Sequence, residues 1–134
     1  MINKKNLLNP VPRHIGIIMD GNGRWAKKHH FAKLRGHKVG TKATKRIVEA
    51  AAEIGVEYLT VYAFSTENWN RSKSEVNALL KLILDSLLNE IEELDQNNVY
   101  VKFIGTTDHL TEEYQKKVQE TCSKTWKNDG MKLN

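Results

Sequence analysis

The sequence predicts an α/β fold: a mainly parallel sheet with flanking helices, incomplete at its C-terminal end. Three observations carry this. Short apolar runs at 14–19, 57–64 and 99–104 alternate with longer stretches of helical period. The second run, Tyr58-Leu-Thr-Val-Tyr-Ala-Phe64, is apolar on both faces, as a central parallel strand under two layers of helix would be. Met131-Lys-Leu-Asn134 begins a further strand that has no successor, so an exposed apolar edge is expected there.

The whole chain sets bounds on this picture. At 134 residues it makes one domain at most. Residues 1–13 read as a loose arm ending at Pro10 and Pro12, and 14–134 as the domain. A hydrophobic fraction of 40% with 28% charged residues is ordinary for a soluble globular protein. The single Cys122 excludes an internal disulfide and fits a reducing compartment. No apolar run approaches the ~20 residues that span a bilayer, and the first residues lack the apolar region of a signal peptide. The expected location is the cytoplasm, with any membrane association confined to the surface.

Taken in order, His14–Met19 is a short apolar run bounded by glycine, which suits a buried strand. A helical piece follows to about Lys28. Residues 29–35 are irregular and suggest a lid. Residues 36–54 form a helix with Val39, Ala43, Ile47, Ala50, Ala51 and Ile54 on one stripe, capped by Gly55. The second strand, 57–64, delivers the loop Ser65–Arg71 to its C-terminal end, where open α/β sheets bind ligands. Ser72-x-x-Glu75 is a capping box that opens a helix to about Asn97. Its leucines and isoleucines exceed one stripe, so it is buried on two sides or lines an apolar channel. Asn97-Asn98 turns into the third strand. The last helix, about 110–127, places Tyr114, Val118, Cys122 and Trp126 at four-residue steps, with Cys122 as core filler.

The chemistry concentrates at the end of the first strand. Asp20 is a lone carboxylate there; Gly21-Asn22-Gly23 is a turn, and Arg24 follows. A strand that stops at a glycine turn and feeds a helix aims several backbone N–H groups at one spot, which suits phosphate. Mg²⁺ on phosphates usually takes only one or two carboxylates, so Asp20 is a natural ligand for it. Arg24 adds a guanidinium fork for phosphate oxygens. Rival readings exist. Gly21-x-Gly23-x-x-Ala26 matches a dinucleotide fingerprint, but no acid follows within ~20 residues, as that fingerprint requires. An aspartate nucleophile usually has a second aspartate two residues on, and here that position is Asn22. The plainest reading makes Asp20 a cap.

Net charge is +5, and nine cations with no acid fall between Gly21 and Val48. That block suggests a polyanionic ligand, although Lys42, Lys45 and Arg46 suit a solvated helix face. Without interleaved aromatics it does not suit single-stranded nucleic acid.

Met19-Asp-Gly-Asn-Gly-Arg-Trp-Ala-Lys27, Gly36-His37-x-x-Gly40 and Leu59-Thr-Val-Tyr-Ala-Phe-Ser-Thr-Glu-Asn-Trp69-x-Arg71 together resemble the cis-prenyltransferases, the undecaprenyl diphosphate synthase family. The resemblance implies condensation of isopentenyl diphosphate onto farnesyl diphosphate with cis geometry. The product is a long polyprenyl diphosphate, the carrier lipid of cell-wall synthesis. It implies that Asp20 holds Mg²⁺ and that Gly21, Asn22, Gly23 and Arg24 cradle the allylic diphosphate. Trp25 shields the first prenyl carbons or packs as a core indole. His37 lies by the diphosphate or serves the helix start. Lys33 stands where the family usually has arginine, keeping the charge and losing the bidentate fork. Ser65, Thr66 and Glu67 lie near the substrates. Asn68 positions the isopentenyl diphosphate from which a proton is lost. Trp69 packs on the prenyl chain, and Arg71 binds diphosphate or pairs with Glu67 or Glu75. A tunnel beside the helix from Ser72 is also implied, and a homodimer in the full-length enzyme.

Family members continue with an arginine-rich stretch for isopentenyl diphosphate and a further Mg²⁺ glutamate, neither of which is present here. The chain therefore reads as the N-terminal half of the enzyme, and is expected not to catalyse the condensation by itself. The alternatives are a truncated, non-catalytic diphosphate-binding fragment and, further off, a basic nucleic-acid-binding module.

Overall fold

The structure, a computed structural model, describes residues 10–62, 73–108 and 110–134. The elements run β1 (His14–Ile18), α1 (Asn22–Lys28), α2 (Lys33–Ile54), β2 (Tyr58–Tyr62), α3 (Lys73–Gln96), β3 (Tyr100–Val101), α4 (Glu112–Thr125) and β4 (Lys132–Leu133). All pairings are parallel, in the order β1-β2-β4-β3. This is the α/β architecture with a parallel sheet that strand–helix alternation predicts.

The last strand is where expectation and structure part. Lys132–Leu133 sits inside the sheet, between β2 and β3. Lys132 N donates to Glu57 O and Asn134 N to Leu59 O, each at 2.8 Å; Tyr100 N and Lys102 N donate from the other side to Met131 O and Leu133 O. Residues 131–134 thus form no exposed apolar edge. The outer strands are β1 and β3.

One face of the sheet carries the core. Leu59, Val101 and Leu133 are buried there, with Ile15, Ile17 and Val61 packed alongside. Val48 and Ala51 of α2, and Leu94, Ile91 and Leu87 of α3, cover them. Burying Leu59 completely is worth roughly 1.5–3 kcal/mol. Alternate residues of β1 point away, and Ile18 is 72% exposed. The apolar run at 14–19 is therefore a half-buried outer strand, not a fully buried one. On the same open face His14 Nε2 meets Thr60 Oγ1 at 2.8 Å.

The helices differ from expectation in instructive places. α2 starts at Lys33, so Lys33, Leu34 and Arg35 are helical and the irregular stretch shrinks to 29–32. Its N-cap is Ala32, which makes no side-chain cap bond, so the usual start signal is missing. Its end matches the prediction: Gly55 closes it at φ 91°. Within α2 the buried residues are Gly36, Val48 and Ala51, while Val39 and Ile47 are exposed. α3 lies between α2 and α4, as a helix buried on two sides would. Lys45 of α2 reaches Glu90 at 2.9 Å and Glu93 at 3.3 Å, and Tyr114 of α4 donates to Asp85.

α4 buries Val118, Thr121 and Thr125 rather than the stripe through Cys122 and Trp126. Trp126 is 60% exposed and Cys122 only half-buried. The reason is a hydrogen bond. Thr125 Oγ1 accepts from Val101 N at 3.0 Å and donates to Thr121 O, satisfying the outward N–H of β3. The helix turns its threonines inward to do this.

Candidate active site

Asp20 stands two residues beyond the C-terminal end of β1 and is exposed. Gly21 N donates to its Oδ1 at 2.7 Å, and Arg24 Nη2 lies 3.2 Å from its Oδ2. Gly21 adopts φ 83°, a left-handed conformation that favours glycine, and is the N-cap of α1. No side chain caps α1, and its first turn holds no acid. The turn therefore presents backbone donors beside one carboxylate and one guanidinium. The Asp20–Arg24 pair is 74–80% exposed. An exposed i,i+4 pair is worth only ~0.3–0.5 kcal/mol, so a diphosphate or a cation displaces it easily.

The turn is seated on α2 by close packing. A Cβ on Gly36 would overlap the Asn22 carbonyl oxygen and lie 2.9 Å from the Ala26 Cβ. A Cβ on Gly40 would fall 2.5–2.7 Å from the Asn22 amide group. Ala26, on the same side of α1, has no exposed surface. Lys33 runs beside Gly23, its Cγ 3.9 Å from where a Cβ would be. His37 follows Gly36 in the second turn of α2 and is half-buried. Trp25 is half-buried in an aromatic group with His29, at 4.4 Å, and Phe31, at 5.8 Å. Arg35 lies 3.7 Å over the Phe31 ring.

A cleft of about 180 Å³ opens beside the carboxylate. Ile17, Ile18, Met19 and Asp20 line one side, and Asn22, Gly40, Ala43, Thr44 and Ile47 the other. One polar end and an apolar floor suit an amphiphile with an anionic head. Trp25 does not line it. Asp20 and Asn22 were expected from sequence, while Ile17, Ile18, Ala43, Thr44 and Ile47 were not read as site residues. Their signal was present in the apolar residues of β1 and α2 that the core leaves uncovered, Ile18 and Ile47.

The structure thus brings together Asp20, Gly21, Asn22, Gly23, Arg24, Lys33 and the start of α2. Ser65, Thr66, Glu67, Asn68, Trp69 and Arg71 lie outside the described residues, as does Ser72, the first residue of the expected capping box. The basic block divides: Lys45 is taken by Glu90, Glu93 and Glu49, and so leaves the set of cations available to a ligand. Glu90 and Glu93 in turn raise the Lys45 pKa, and Lys45 holds the Glu93 carboxyl below its ordinary range.

The donor set bears on a metal. Among the described residues no group of three His, Cys, Asp or Glu converges on one point. A caged metal does not fit. A hard cation shared between one exposed carboxylate and ligand phosphates does, and that is the habit of Mg²⁺. Among the described residues no helix is long and apolar enough to cross a membrane.

Comparison with known proteins points the same way. Residues 18–134 match the Prenyltransf family, described as undecaprenyl diphosphate synthase. The isoprenyl transferase of Clostridium perfringens is 50% identical over 124 residues, covering 92% of this chain and 49% of that protein. The ditrans,polycis-undecaprenyl-diphosphate synthase ((2E,6E)-farnesyl-diphosphate specific) of Micrococcus luteus is 48% identical over 132 residues, covering 97% of this chain and 53% of that one. Among solved structures, lavandulyl diphosphate synthase from Lavandula x intermedia, in complex with dimethylallyl diphosphate, superposes with a TM-score of 0.86 at 32% identity, over 90% of this chain and 52% of that one. The chain spans about half the length of the relatives it matches. With a family match across nearly the whole domain, the same motifs and the same fold, this chain belongs to the undecaprenyl diphosphate synthase family of prenyltransferases.

Proposed function

We propose that this chain carries the allylic-diphosphate site of a Mg²⁺-dependent prenyl transferase. That enzyme adds isopentenyl diphosphate to farnesyl diphosphate with cis geometry, toward an undecaprenyl-type carrier lipid for cell-wall synthesis. The enzyme is a homodimer and works in the cytoplasm, at the surface of the membrane that receives its product. The observation that carries the reading is the Asp20–Arg24 pair on a glycine turn at the mouth of an apolar cleft.

The hard step is departure of diphosphate from the allylic carbon, where negative charge gathers on the leaving group. Asp20 is the residue that would hold Mg²⁺, which when bound neutralises part of that charge. Arg24 leaves the Asp20 oxygen for a diphosphate oxygen, which frees the carboxylate at the moment it is needed. Gly21, Asn22 and Gly23 offer backbone donors. Lys33, beside Gly23, supplies a second cation as a point charge rather than a fork. His37 stands by as a donor to the departing oxygens. Ile17, Met19, Ala43 and Ile47 receive the first prenyl units and exclude water. Trp25 shields those units from outside the cleft. Ser65, Thr66 and Glu67 border the second substrate, Asn68 orients it, Trp69 packs on the chain, and Arg71 takes a diphosphate.

A second reading keeps the binding and drops the turnover: a diphosphate-binding module. Farnesyl diphosphate, labelled isopentenyl diphosphate and Mg²⁺ supplied to the purified 134-residue chain separate the two. Elongated product establishes the transferase. Binding of farnesyl diphosphate without product, by this chain and by the full-length enzyme alike, establishes the module. Absence of both refutes the site itself.

A further inference from the structure

We propose that Gly36 and Gly40 are positioning residues for the diphosphate turn: the two glycines let α1 lie on α2 so closely that Asn22, and with it Gly21 and Asp20, can occupy only one place. The proposal rests on the diphosphate site described above and adds residues that act on the diphosphate through Asn22. Three observations converge. Asn22 packs by its carbonyl against Gly36 and by its amide against Gly40, one turn apart on α2. Ala26, one turn along α1, fills the remaining space against Gly36 and is fully buried. Asn22 and Gly40 also line the same cleft as Asp20.

The two contacts differ in kind. At Gly36 the obstacle is a carbonyl oxygen, present whatever residue stands at 22. At Gly40 the obstacle is the Asn22 side chain, which a smaller residue removes. Other glycines of the chain supply controls. Gly55 ends the same helix at φ +91° with nothing within 4 Å of an added Cβ, and Gly16 is likewise unobstructed. A Gly55→Ala change strains the backbone without touching the turn.

The test has two readouts on the whole chain. The first is the affinity for inorganic pyrophosphate with Mg²⁺, measured at equal folded fraction. Gly40→Ala should weaken it at least tenfold, while Gly55→Ala lowers the melting temperature and leaves the affinity within about twofold. The second is the ligand-free amide NMR spectrum. Gly40→Ala should shift Gly21, Asn22 and Gly23 strongly. Adding Asn22→Ala should return Gly21 and Gly23 toward their original positions. The same addition to Gly36→Ala should not. Equal affinities for Gly40→Ala and Gly55→Ala, with the turn resonances unmoved, would overturn the proposal. If the wild-type chain fails to bind pyrophosphate, the functional reading falls, and the NMR shifts still decide whether the glycines position the turn.

Discussion

The two ends of the sheet are built on opposite terms. At the β3 end, polar groups find partners inside the protein. Val101 N is satisfied by Thr125, and Asn128 Nδ2 donates both to Asp95 at 2.8 Å and to Val99 O at 2.9 Å. At the β1 end, charged groups are left in water, as Asp20 and Arg24 are, with Asp20 held by Arg24 and the Gly21 N–H, while close backbone packing on Gly36 and Gly40 supplies the rigidity. The first end stores stability. The second fixes a shape and leaves its hydrogen-bonding capacity for a ligand. Substitutions should therefore separate cleanly, with ligand effects at β1 and stability effects at β3.

The largest separation is expected from Asp20→Ala. It should remove the Mg²⁺-dependent gain in pyrophosphate affinity and lower turnover of the full-length enzyme ~10²–10³-fold, the scale for losing one stabiliser of developing charge. Stability should stay within ~0.5 kcal/mol, as for other surface changes. Calorimetric titration with and without Mg²⁺ and a urea melt check both halves. Retention of the metal-dependent gain would remove Asp20 from the site. Arg24→Ala comes next, with a loss of ~1.5–3 kcal/mol in diphosphate binding, the range for a charge-assisted hydrogen bond.

Thr125→Val probes the other end. It keeps the shape, removes the acceptor for Val101 N and leaves a buried N–H unpaired, which costs ~1–3 kcal/mol. Urea unfolding should show the loss while pyrophosphate affinity stays unchanged. A change in affinity would mean that the two ends are coupled.

The smallest effect is expected at Lys45, which ties α2 to α3. Because Glu93 is held below its ordinary value of 4.5, mainly by the Lys45 hydrogen bond, its contribution is present above that pH and is lost as pH falls through the lowered value. Lys45→Met should therefore lower stability slightly at pH 7 and flatten the decline below about pH 4.5, so that variant and wild type converge in acid. An unchanged acid limb would show that the pair contributes nothing measurable.

Much of this was legible in the sequence because it is local. Gly55 ends α2 as expected, the β2 run pairs as a central strand, and the Asp20–Arg24 turn lies where a glycine-bounded strand must stop. What was misread is non-local. Nothing in Met131–Asn134 reveals that it inserts between β2 and β3, because strand order depends on how the chain crosses over. The four-residue steps through Cys122 and Trp126 suggested a core stripe. Thr125 instead faced inward, because an unpaired strand N–H outweighed the burial of an indole. Lys33-Leu34-Arg35 lacks any capping residue, so the true start of α2 was hidden. Gly36 and Gly40 read as family motif residues; that both close on Asn22 needed three-dimensional packing.

The central claim is that the ligand end and the stability end are separate, with a diphosphate received at the turn after β1. The most direct measurement is an amide NMR titration of the chain with inorganic pyrophosphate and Mg²⁺. The account predicts saturable shifts confined to Gly21–Arg24 and the first turns of α2, from Lys33 to Gly40, with β3, α4 and β4 unmoved. Shifts centred on the lysines of α4, or spread evenly over all exposed cations, would contradict it.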